Sequence, residues 1–586
     1  METVLRESQI SRRDFLKAAG MGAAAVAAAG TAAGALTSCN SGTARVRWDF
    51  ETDVVVVGSG AAASAAAVAA RSQGATVIML EKSPITGGTT AKSGGVYWIP
   101  NNSFLSASGV QDNKDDCMRF LARGAYPQMY NPSDTRLGLP EHEYSLLSAF
   151  YDNGSRAIDF FSQVGALQSQ QSALLPDYLD HVPENKVLRG RPLAPKTPTG
   201  QGAGAALVSQ MKAWIDSHEI QVFTGHRVQE IVLDNKRQVI GLKAVTRDGK
   251  AVAVRGKRAV IFGSGGFTHN PQLILQFQLG PTYGGCAVPT NEGDFVYLAQ
   301  AVGAQLSNMN GAWNAEIPLE QALQSPSTPN DIWQPAGDSM ILVNKYGLRV
   351  TNEKRSYSDR TKIHFYWDPI HQEYPNQIML MVYDQRTRDL YASAPGGYPI
   401  PTAGASSPDE ISAQTLSQLG QGIRARVDQI AGRIGQWRLS DSFETNLVST
   451  IARFNQFANK GVDEDFNRGD FPYDKEWHKN VFSIPAQGTR WPANDKPNMT
   501  MYPFTPQGPY YCILIAAGTL DTNGGPRTNE LAQVLDTREK PIPGLYGAGN
   551  CIAAPTRYYF AAGGTLGPAL TFGYIAGINA AKERVK

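Results

Sequence analysis

The sequence predicts an α/β protein with a Rossmann-like nucleotide-binding domain and an inserted α+β domain that covers a substrate. Two observations predict this fold: a complete strand, glycine turn, helix and second strand at 53–83, and a composition richer in Pro, Asn, Gln and Trp after about residue 275. The expected boundaries are 51–275 for the first part of the nucleotide-binding domain, 276–500 for the inserted substrate or cap domain, and 501–586 for the second part.

The unit at 53–83 has the pattern of a dinucleotide site. Val54–Val57 is a β-branched run typical of a strand buried on both faces, and an alanine-rich helix follows the glycine turn. Gly58 permits the tight turn, and Gly60 lets the backbone approach a pyrophosphate bound at the helix N-terminus. A second strand ends at Glu81, which is placed to accept hydrogen bonds from a ribose hydroxyl. At the other end of the chain, a closing helix is expected over Gly563–Ile578.

Composition and cysteine spacing exclude several other classes of protein. The 54 basic and 52 acidic residues give a net charge of +2, with no basic patch typical of nucleic-acid binding. The cysteines form no CxxC or CxxCH pattern, which argues against haem c, an iron–sulfur cluster or a zinc site. No histidine has metal-ligand spacing, so we expect no metal.

The first forty residues have the pattern of an export signal. Ser11–Lys17 carries the Arg12-Arg13 pair and resembles a twin-arginine signal, and the Ala/Gly-rich stretch behind it is too weakly apolar for a good membrane span. We expect a signal peptide over 1–39 and a linker over 40–50. Leu36–Cys39 resembles a lipobox, which would lipidate Cys39 and anchor the protein on the outer face of the cytoplasmic membrane; otherwise the protein would be periplasmic.

From about residue 50 to the C-terminus, the motifs resemble the superfamily of FAD-dependent fumarate reductases and 3-ketosteroid dehydrogenases. They are GSGAAA with Glu81, GGTTAKSGG at 87–95, FGSGGF at 262–267, VNKYGLRVTNE at 343–353, GVDEDFNRG at 461–469 and GLYGAGN at 544–550. The resemblance implies a nucleotide-binding domain of the glutathione-reductase type and non-covalent FAD. The residues expected to bind FAD are Gly58, Gly60, Ala61, Ala62, Glu81, Lys82, Gly88, Thr89, Thr90, Ser93, Gly94, Gly95, Gly265, Gly549, Asn550 and Leu566.

Within that superfamily, the C-terminal stretch resembles the steroid Δ1-dehydrogenases more than the fumarate reductases. No arginine lies within five residues before Gly563-Gly564, whereas Tyr559, Gly563 and Gly567-Pro568 match the steroid pattern. The resemblance implies that Tyr559 OH and Gly563 N–H polarise the C3 carbonyl. It also implies that Tyr357, after an Asn-Glu pair, removes the C2 proton, and that Tyr178, in a Pro-Asp-Tyr loop, assists it. A register slip of one residue would give Tyr558 the role of Tyr559.

Some features depart from the steroid pattern. Phe560 replaces a usual proline or tryptophan, and the methyl groups of Ala561 and Ala562 would narrow the pocket floor. The resemblance to Δ4-(5α)-dehydrogenases is weaker, which favours Δ1 chemistry.

The expected substrate is thus a small hydrophobic, steroid-like ketone. Because an exported enzyme has no NAD(P)H pool, a quinone or another electron carrier is the expected partner. The alternatives are an envelope ene-reductase for another conjugated carbonyl compound and a non-enzymatic flavin electron-carrier subunit.

Overall fold

A largely parallel sheet forms around the first strand that the structure describes. The structure is a computed structural model, and it describes residues 46–172, 175–392, 397–481 and 494–586. The predictions for 1–39 and most of the linker therefore lie outside the described residues. Residues 48–586 form one compact unit. None of the helices in the described ranges is long and apolar enough to cross a membrane.

The secondary structure alternates between strands and helices in the first and last parts of the chain. The strands are β1 Phe50–Val57, β2 Val77–Leu80, β3 Tyr97–Trp98, β4 Ser169–Gln171, β5 Pro192–Thr197, β6 Gly200–Gln201, β7 Gln221–Phe223, β8 His226–Leu233, β9 Val239–Thr246, β10 Ala251–Phe262, β11 Leu306–Ser307, β12 Ala312–Pro318, β13 Met340–Val343, β14 Ile378–Asp384, β15 Ile411–Ala413, β16 Tyr510–Thr522, β17 Gly525–Pro526, β18 Gln533–Leu535 and β19 Pro541–Gly547. The α-helices are α1 Ala61–Ser72, α2 Gly88–Lys92, α3 Ser103–Ala107, α4 Lys114–Ala125, α5 Glu141–Gln163, α6 Gly204–Ser217, α7 Pro271–Phe277, α8 Asp294–Ala301, α9 Leu319–Gln324, α10 Tyr357–Arg360, α11 Gln385–Tyr391, α12 Leu416–Gln429, α13 Ala431–Ile434, α14 Phe443–Lys460, α15 Pro472–Val481 and α16 Leu566–Lys582. Two 3-10 helices span Thr361–Phe365 and Gly549–Cys551.

The nucleotide-binding sheet has the strand order β18-β19-β10-β1-β2-β7, and β9 and β8 extend it beside β10. Strand β1 pairs in parallel with both β10 and β2. Val54–Val57 are buried, as expected for a β-branched strand with a neighbour on each edge: Val54 and Val56 pack in one cluster with α1, and Val55 and Val57 pack in another with β8, β9 and α8. The mixed α/β architecture with an inserted domain, predicted from the sequence, is confirmed.

Helix α1 packs directly on the C-terminal helix α16, and the small residues of both helices allow a short separation. A Cβ atom at Gly573 would lie 2.5 Å from Ala62 O, and one at Gly577 would lie 2.4 Å from Ala66 O. Helix α16 begins at Leu566 rather than at Gly563, where the sequence predicted it. The reason is the backbone of Gly563, whose φ of 91° is incompatible with a right-handed helix.

The inserted region builds a second, antiparallel sheet in the order β12-β16-β14-β13, with β15 also paired to β16. Strand β16 is 13 residues long and lies inside this sheet, although it comes after residue 501 in the chain. Its end reaches the nucleotide-binding domain, where Asp521 accepts hydrogen bonds from Gly266 N at 2.9 Å and from Asn550 Nδ2 at 3.1 Å. The end of a cap-sheet strand therefore contacts the nucleotide-binding domain directly.

Candidate active site

The turn between β1 and α1 opens a cleft at the carboxyl end of the parallel sheet. Gly58 has φ of 104°, and a Cβ atom there would lie 2.5 Å from Gly263 O, so only glycine fits. Helix α1 begins at Ala61, and no acidic residue lies in its first turn. The N-terminus of this helix is therefore suited to an anion such as a pyrophosphate.

Glu81 lies at the end of β2 on one side of the cleft. Its Oε2 accepts a hydrogen bond of 2.6 Å from Ser59 Oγ, and its Oε1 accepts one of 2.7 Å from Ser83 N. Ser59 Oγ in turn accepts a hydrogen bond from Gly87 N at 2.9 Å. This network holds the two glycine loops together and fixes the carboxylate that the sequence assigns to the ribose.

The predicted cofactor residues line two adjoining cavities. Those along the first cleft are Gly58, Gly60, Ala61, Ala62, Glu81, Lys82, Gly88, Thr89, Thr90, Gly265, Gly549, Asn550 and Leu566. Ser93, Gly94 and Gly95 line a second cavity of about 360 Å³, which shares Thr89, Thr90, Asn550 and Leu566 with the first. The two cavities thus form one site.

All four predicted catalytic residues line this second cavity, hereafter the tyrosine cavity. The ring centroids of Tyr178, Tyr357 and Tyr559 are 5.5 to 5.6 Å apart in every pair. Tyr178 OH donates a hydrogen bond of 3.0 Å to Tyr357 OH. Residues separated by nearly 400 positions in the sequence therefore meet around one small volume, beside the glycine loops of the cleft.

The loop of Tyr178 is fixed by buried polar contacts. Tyr178 N donates to Phe560 O at 2.7 Å, which ties this loop to the irregular segment that carries Tyr559. The preceding Asp177 accepts hydrogen bonds from Trp98 Nε1 at 3.0 Å and from Arg191 Nη1 at 2.8 Å. Each of these side chains is buried, so the position of the Tyr178 ring is well determined.

The Asn-Glu pair that precedes Tyr357 has a structural role. Arg349 pairs with Glu353 at 2.7 Å and with Asp463 at 2.8 Å, so the two motifs at 343–353 and 461–469 meet in one buried ion cluster. Arg355 Nη2 donates to Tyr178 O at 3.1 Å. These contacts hold Tyr357, the first residue of α10, beside Tyr178.

Gly563 and Tyr559 form the floor of the tyrosine cavity. A Cβ atom at Gly563 would lie 2.6 Å from Trp98 N, and Gly563 O accepts a hydrogen bond from that same nitrogen at 3.0 Å. The Gly563 N–H is close enough to the Tyr559 hydroxyl to lower its pKa. The backbone donor and the phenol therefore lie at one place, as a carbonyl-polarising pair requires.

The residues next to Tyr559 in the sequence differ from it in their contacts. Tyr558 OH donates to Asp359 Oδ2 at 2.7 Å, and Tyr558 does not belong to the lining of the cavity. Phe560 stacks on Trp98 with ring centroids 5.4 Å apart. Ala561 and Ala562 line the cavity. The structure thus follows the register with Tyr559, not Tyr558, in the cavity.

Burial keeps the three phenols protonated. It raises the pKa of Tyr559 to about 12, although hydrogen bonds from Tyr357 and from the Gly563 N–H act in the opposite direction. Burial raises the pKa of Tyr178 and of Tyr357 well above the usual range for a phenol, and the negative charge of Asp331 adds to both shifts. All three are therefore hydrogen-bond donors at neutral pH.

Several residues of the tyrosine cavity were not predicted as site residues. Asp331, Trp333 and Cys286 line it from outside every sequence motif, and Lys92 lines it from within the motif at 87–95. Of the described residues in this lining, Lys92 carries the only positive charge, and its Nζ donates to Thr328 O at 2.6 Å. Burial raises the pKa of Asp331 to about 6, and the nearby Trp333, Cys286 and Lys92 side chains lower it in part. A Pro-Ser-Thr-Asn-rich loop carries Asp331, and no spacing in it distinguishes a site residue from a surface turn.

A family model described as an FAD binding domain matches residues 53–566, which is most of the chain. The chain belongs to this FAD-binding family. It is an FAD-dependent oxidoreductase, as its sequence predicted. A second model, for the signal sequence of the twin-arginine translocation pathway, matches residues 9–29 and supports export.

Relatives cover nearly the whole length of this flavoprotein. A 3-oxosteroid 1-dehydrogenase of Mycobacterium tuberculosis is 30% identical over 92% of this chain and 99% of its own. A 4-oxocyclohexanecarboxylate 2-dehydrogenase of Sinomonas cyclohexanicum is also 30% identical, over 90% of this chain and 92% of its own. The crystal structure of 3-ketosteroid Δ1-dehydrogenase from Sterolibacterium denitrificans, with 23% identity, superposes with a TM-score of 0.74 over 91% of this chain and 99% of its own, which supports the fold.

The residues of the two cavities fit FAD. Two of the lining glycines leave room that side chains would fill: no described atom lies within 4 Å of a Cβ atom built on Gly88 or on Gly94. The α1 N-terminus would hold the pyrophosphate, Glu81 the ribose, and the loop at 87–95 the flavin end. The flavin end would then adjoin the three tyrosines.

Proposed function

We propose that this exported flavoprotein is a 3-ketosteroid Δ1-dehydrogenase. The observation that carries the proposal is the convergence of Tyr559 OH, Gly563 N–H and Tyr357 OH in one cavity that adjoins the FAD cleft. Two donors beside a ketone oxygen and a phenol beside its α-carbon are what removal of hydrogen next to a carbonyl requires.

Each side chain has a defined part in the proposed reaction. Tyr559 OH and Gly563 N–H donate to the C3 carbonyl oxygen, which acidifies the hydrogens on C2. Tyr357 acts in its ionised form: it first releases its phenol proton to solvent, and the tyrosinate oxygen, whose negative charge the hydrogen bond from Tyr178 stabilises, then takes up the C2 proton. FAD, when bound, supplies the acceptor for the hydride from C1.

The lining of the cavity favours a neutral, hydrophobic ketone over a carboxylate. The substrate in the name of the Sinomonas relative is a cyclohexanone that carries a carboxylate, which would need a positive partner in a buried site. Lys92 is the available cation, and it faces the negative Asp331 within the same lining. The apolar rings of Tyr178, Trp477 and Tyr559 suit the flat hydrocarbon of a steroid.

Anaerobic reduction of the flavin tests this function. Purified holoenzyme should lose its oxidised flavin absorbance on addition of 4-androstene-3,17-dione and release a product lighter by two hydrogen atoms. 4-Oxocyclohexanecarboxylate, as the matched control, should leave the flavin oxidised. A flavin that stays oxidised with every 3-ketosteroid, but whose reduced form is reoxidised by an enone, would replace this proposal with the ene-reductase. A flavin that is neither reduced by a 3-ketosteroid nor reoxidised by an enone would instead support the electron-carrier subunit.

The proposed location of the enzyme outside the cytoplasm limits which electron carrier can accept its electrons. Because NAD(P)H is absent there, we propose a quinone or another diffusible carrier as the acceptor of the two electrons.

We further propose that lipidated Cys39 anchors the mature protein to the membrane that holds such carriers. Cys39→Ser should then release active protein into the soluble fraction of fractionated cells; unchanged membrane retention would contradict the lipid anchor.

A further inference from the structure

One acidic side chain in the tyrosine cavity has no part in the proposed reaction. Asp331 is only 8% exposed and lines the cavity together with the three tyrosines. Its Oδ2 has no hydrogen-bond partner among the residues that the structure describes. A buried carboxylate oxygen without a donor is costly, so a site that retains one is suited to a ligand that brings a donor.

The backbone around Asp331 is rigidly held. Ile332 N donates to Glu316 O at 2.8 Å, which bridges this loop to strand β12. Arg360 Nη2 donates to Ile332 O at 3.1 Å, and Arg360 belongs to the same short helix as Tyr357. The main chain beside Asp331 is therefore fixed relative to the tyrosines, so a ligand would not have to order this loop.

The surroundings of Asp331 indicate the kind of donor. Trp333, which is 46% exposed and lines the cavity, marks its solvent side, whereas the three phenols lie on the inner side. Trp333, Cys286 and Lys92 each lower the pKa of Asp331, so all three side chains lie near its carboxylate. A cavity with mostly apolar walls and one buried carboxylate oxygen that lacks a donor suits a hydrophobic molecule with a hydroxyl group better than a cation, which would lose more hydration on entry.

We propose that Asp331 is a specificity-determining residue that accepts a hydrogen bond from a hydroxyl group on the ring system of the substrate. The preferred substrates are then hydroxylated 3-ketosteroids rather than their deoxy parents. This inference rests on the proposed function, since the ketone held by Tyr559 and Gly563 sets the orientation in which the hydroxyl reaches Asp331.

Binding to the oxidised holoenzyme tests the inference without turnover. The ligands are 1,4-androstadiene-3,17-dione, which is already desaturated, and a set of its derivatives with one hydroxyl group each at different ring positions. Calorimetry gives the Kd values for wild-type protein, Asp331→Asn and Asp331→Leu. Asn keeps an acceptor of similar shape, whereas Leu removes it; flavin absorbance reports whether each variant folds and retains FAD.

We expect at least one hydroxylated derivative to bind wild-type protein about tenfold or more tighter than the parent, as for a hydrogen bond to a charged group. The preference should be smaller in Asp331→Asn and absent in Asp331→Leu. The inference is overturned if no derivative binds tighter than the parent, or if the preference survives in Asp331→Leu. Failure of every steroid to bind would overturn the proposed function as well, whereas binding without a hydroxyl preference would overturn this inference alone.

Discussion

Tyr558 and Tyr559 are neighbours in the chain, yet their hydroxyls have different partners. We expect Tyr559→Phe to keep FAD and the fold but to lower kcat/KM by about 10²–10³, as for loss of one donor to a developing oxyanion. Tyr558→Phe is the matched control, because its hydroxyl contacts Asp359 outside the cavity, and it should retain most activity. Steady-state kinetics with a 3-ketosteroid compares the two; equal losses would contradict the assignment of Tyr559.

Ionisation of the buried Asp331 carboxyl group should lower the free energy of unfolding as the pH rises. Burial raises its pKa to about 6 from 3.8, so between these values the folded protein binds more protons than the unfolded chain. Ionisation then costs the folded state up to about 3 kcal/mol above pH 6, and nothing below pH 3.8. Asp331→Asn should therefore raise the free energy of unfolding at pH 8 and leave it nearly unchanged at pH 4. Urea unfolding at both pH values measures this, and an equal effect at both would contradict it.

Tyr357 and Asp331 show which site residues a sequence can reveal. Tyr357 follows an Asn-Glu pair whose members take part in buried contacts, so a recognisable motif surrounds it. Asp331 reaches the cavity because Ile332 pairs with β12 and bonds to Arg360, contacts between distant segments that leave no periodic pattern. The proposed role of Asp331 could therefore be inferred only from the three-dimensional structure.

At the scale of elements, α1 and α16 depend on glycine at their contact. Gly577→Ala would place a methyl group 2.4 Å from Ala66 O, so the helices must separate, at a cost of about 1–3 kcal/mol. Gly432→Ala in helix α13 is the control, since nothing lies within 4 Å of its added Cβ atom. Thermal unfolding followed by flavin fluorescence should show a lower Tm for Gly577→Ala only; an unchanged Tm would contradict the close packing.

The elements of the nucleotide-binding domain were the most predictable part of the fold. The β-branched run and the glycine turn of β1 and α1 act within about twenty residues, so local chemistry determines them. The start of α16 was less predictable, because the φ of Gly563 depends on its contact with Trp98, far away in the sequence. Strand β16 belongs to the cap sheet for the same reason: its partners β12 and β14 precede it by more than 100 residues.

At the scale of the whole molecule, the match to a twin-arginine signal predicts export of a folded, FAD-loaded protein. Replacing Arg12 and Arg13 by lysine should leave the protein in the cytoplasm with its flavin bound. Cell fractionation with flavin absorbance of each fraction measures this, and the wild-type chain is the control. Export of the double variant at the wild-type level would contradict use of this pathway.

The Gly563 amide is a main-chain group, and this affects how the protein can evolve. In the proposed reaction, a mutation can exchange a phenol for another side chain, but no substitution other than proline deletes a backbone N–H. One of the two proposed donors to the ketone oxygen therefore depends on the backbone conformation and not on the identity of a side chain. Related proteins could therefore replace the tyrosines and change their preference for the substrate's ring system in small steps while still binding a carbonyl oxygen.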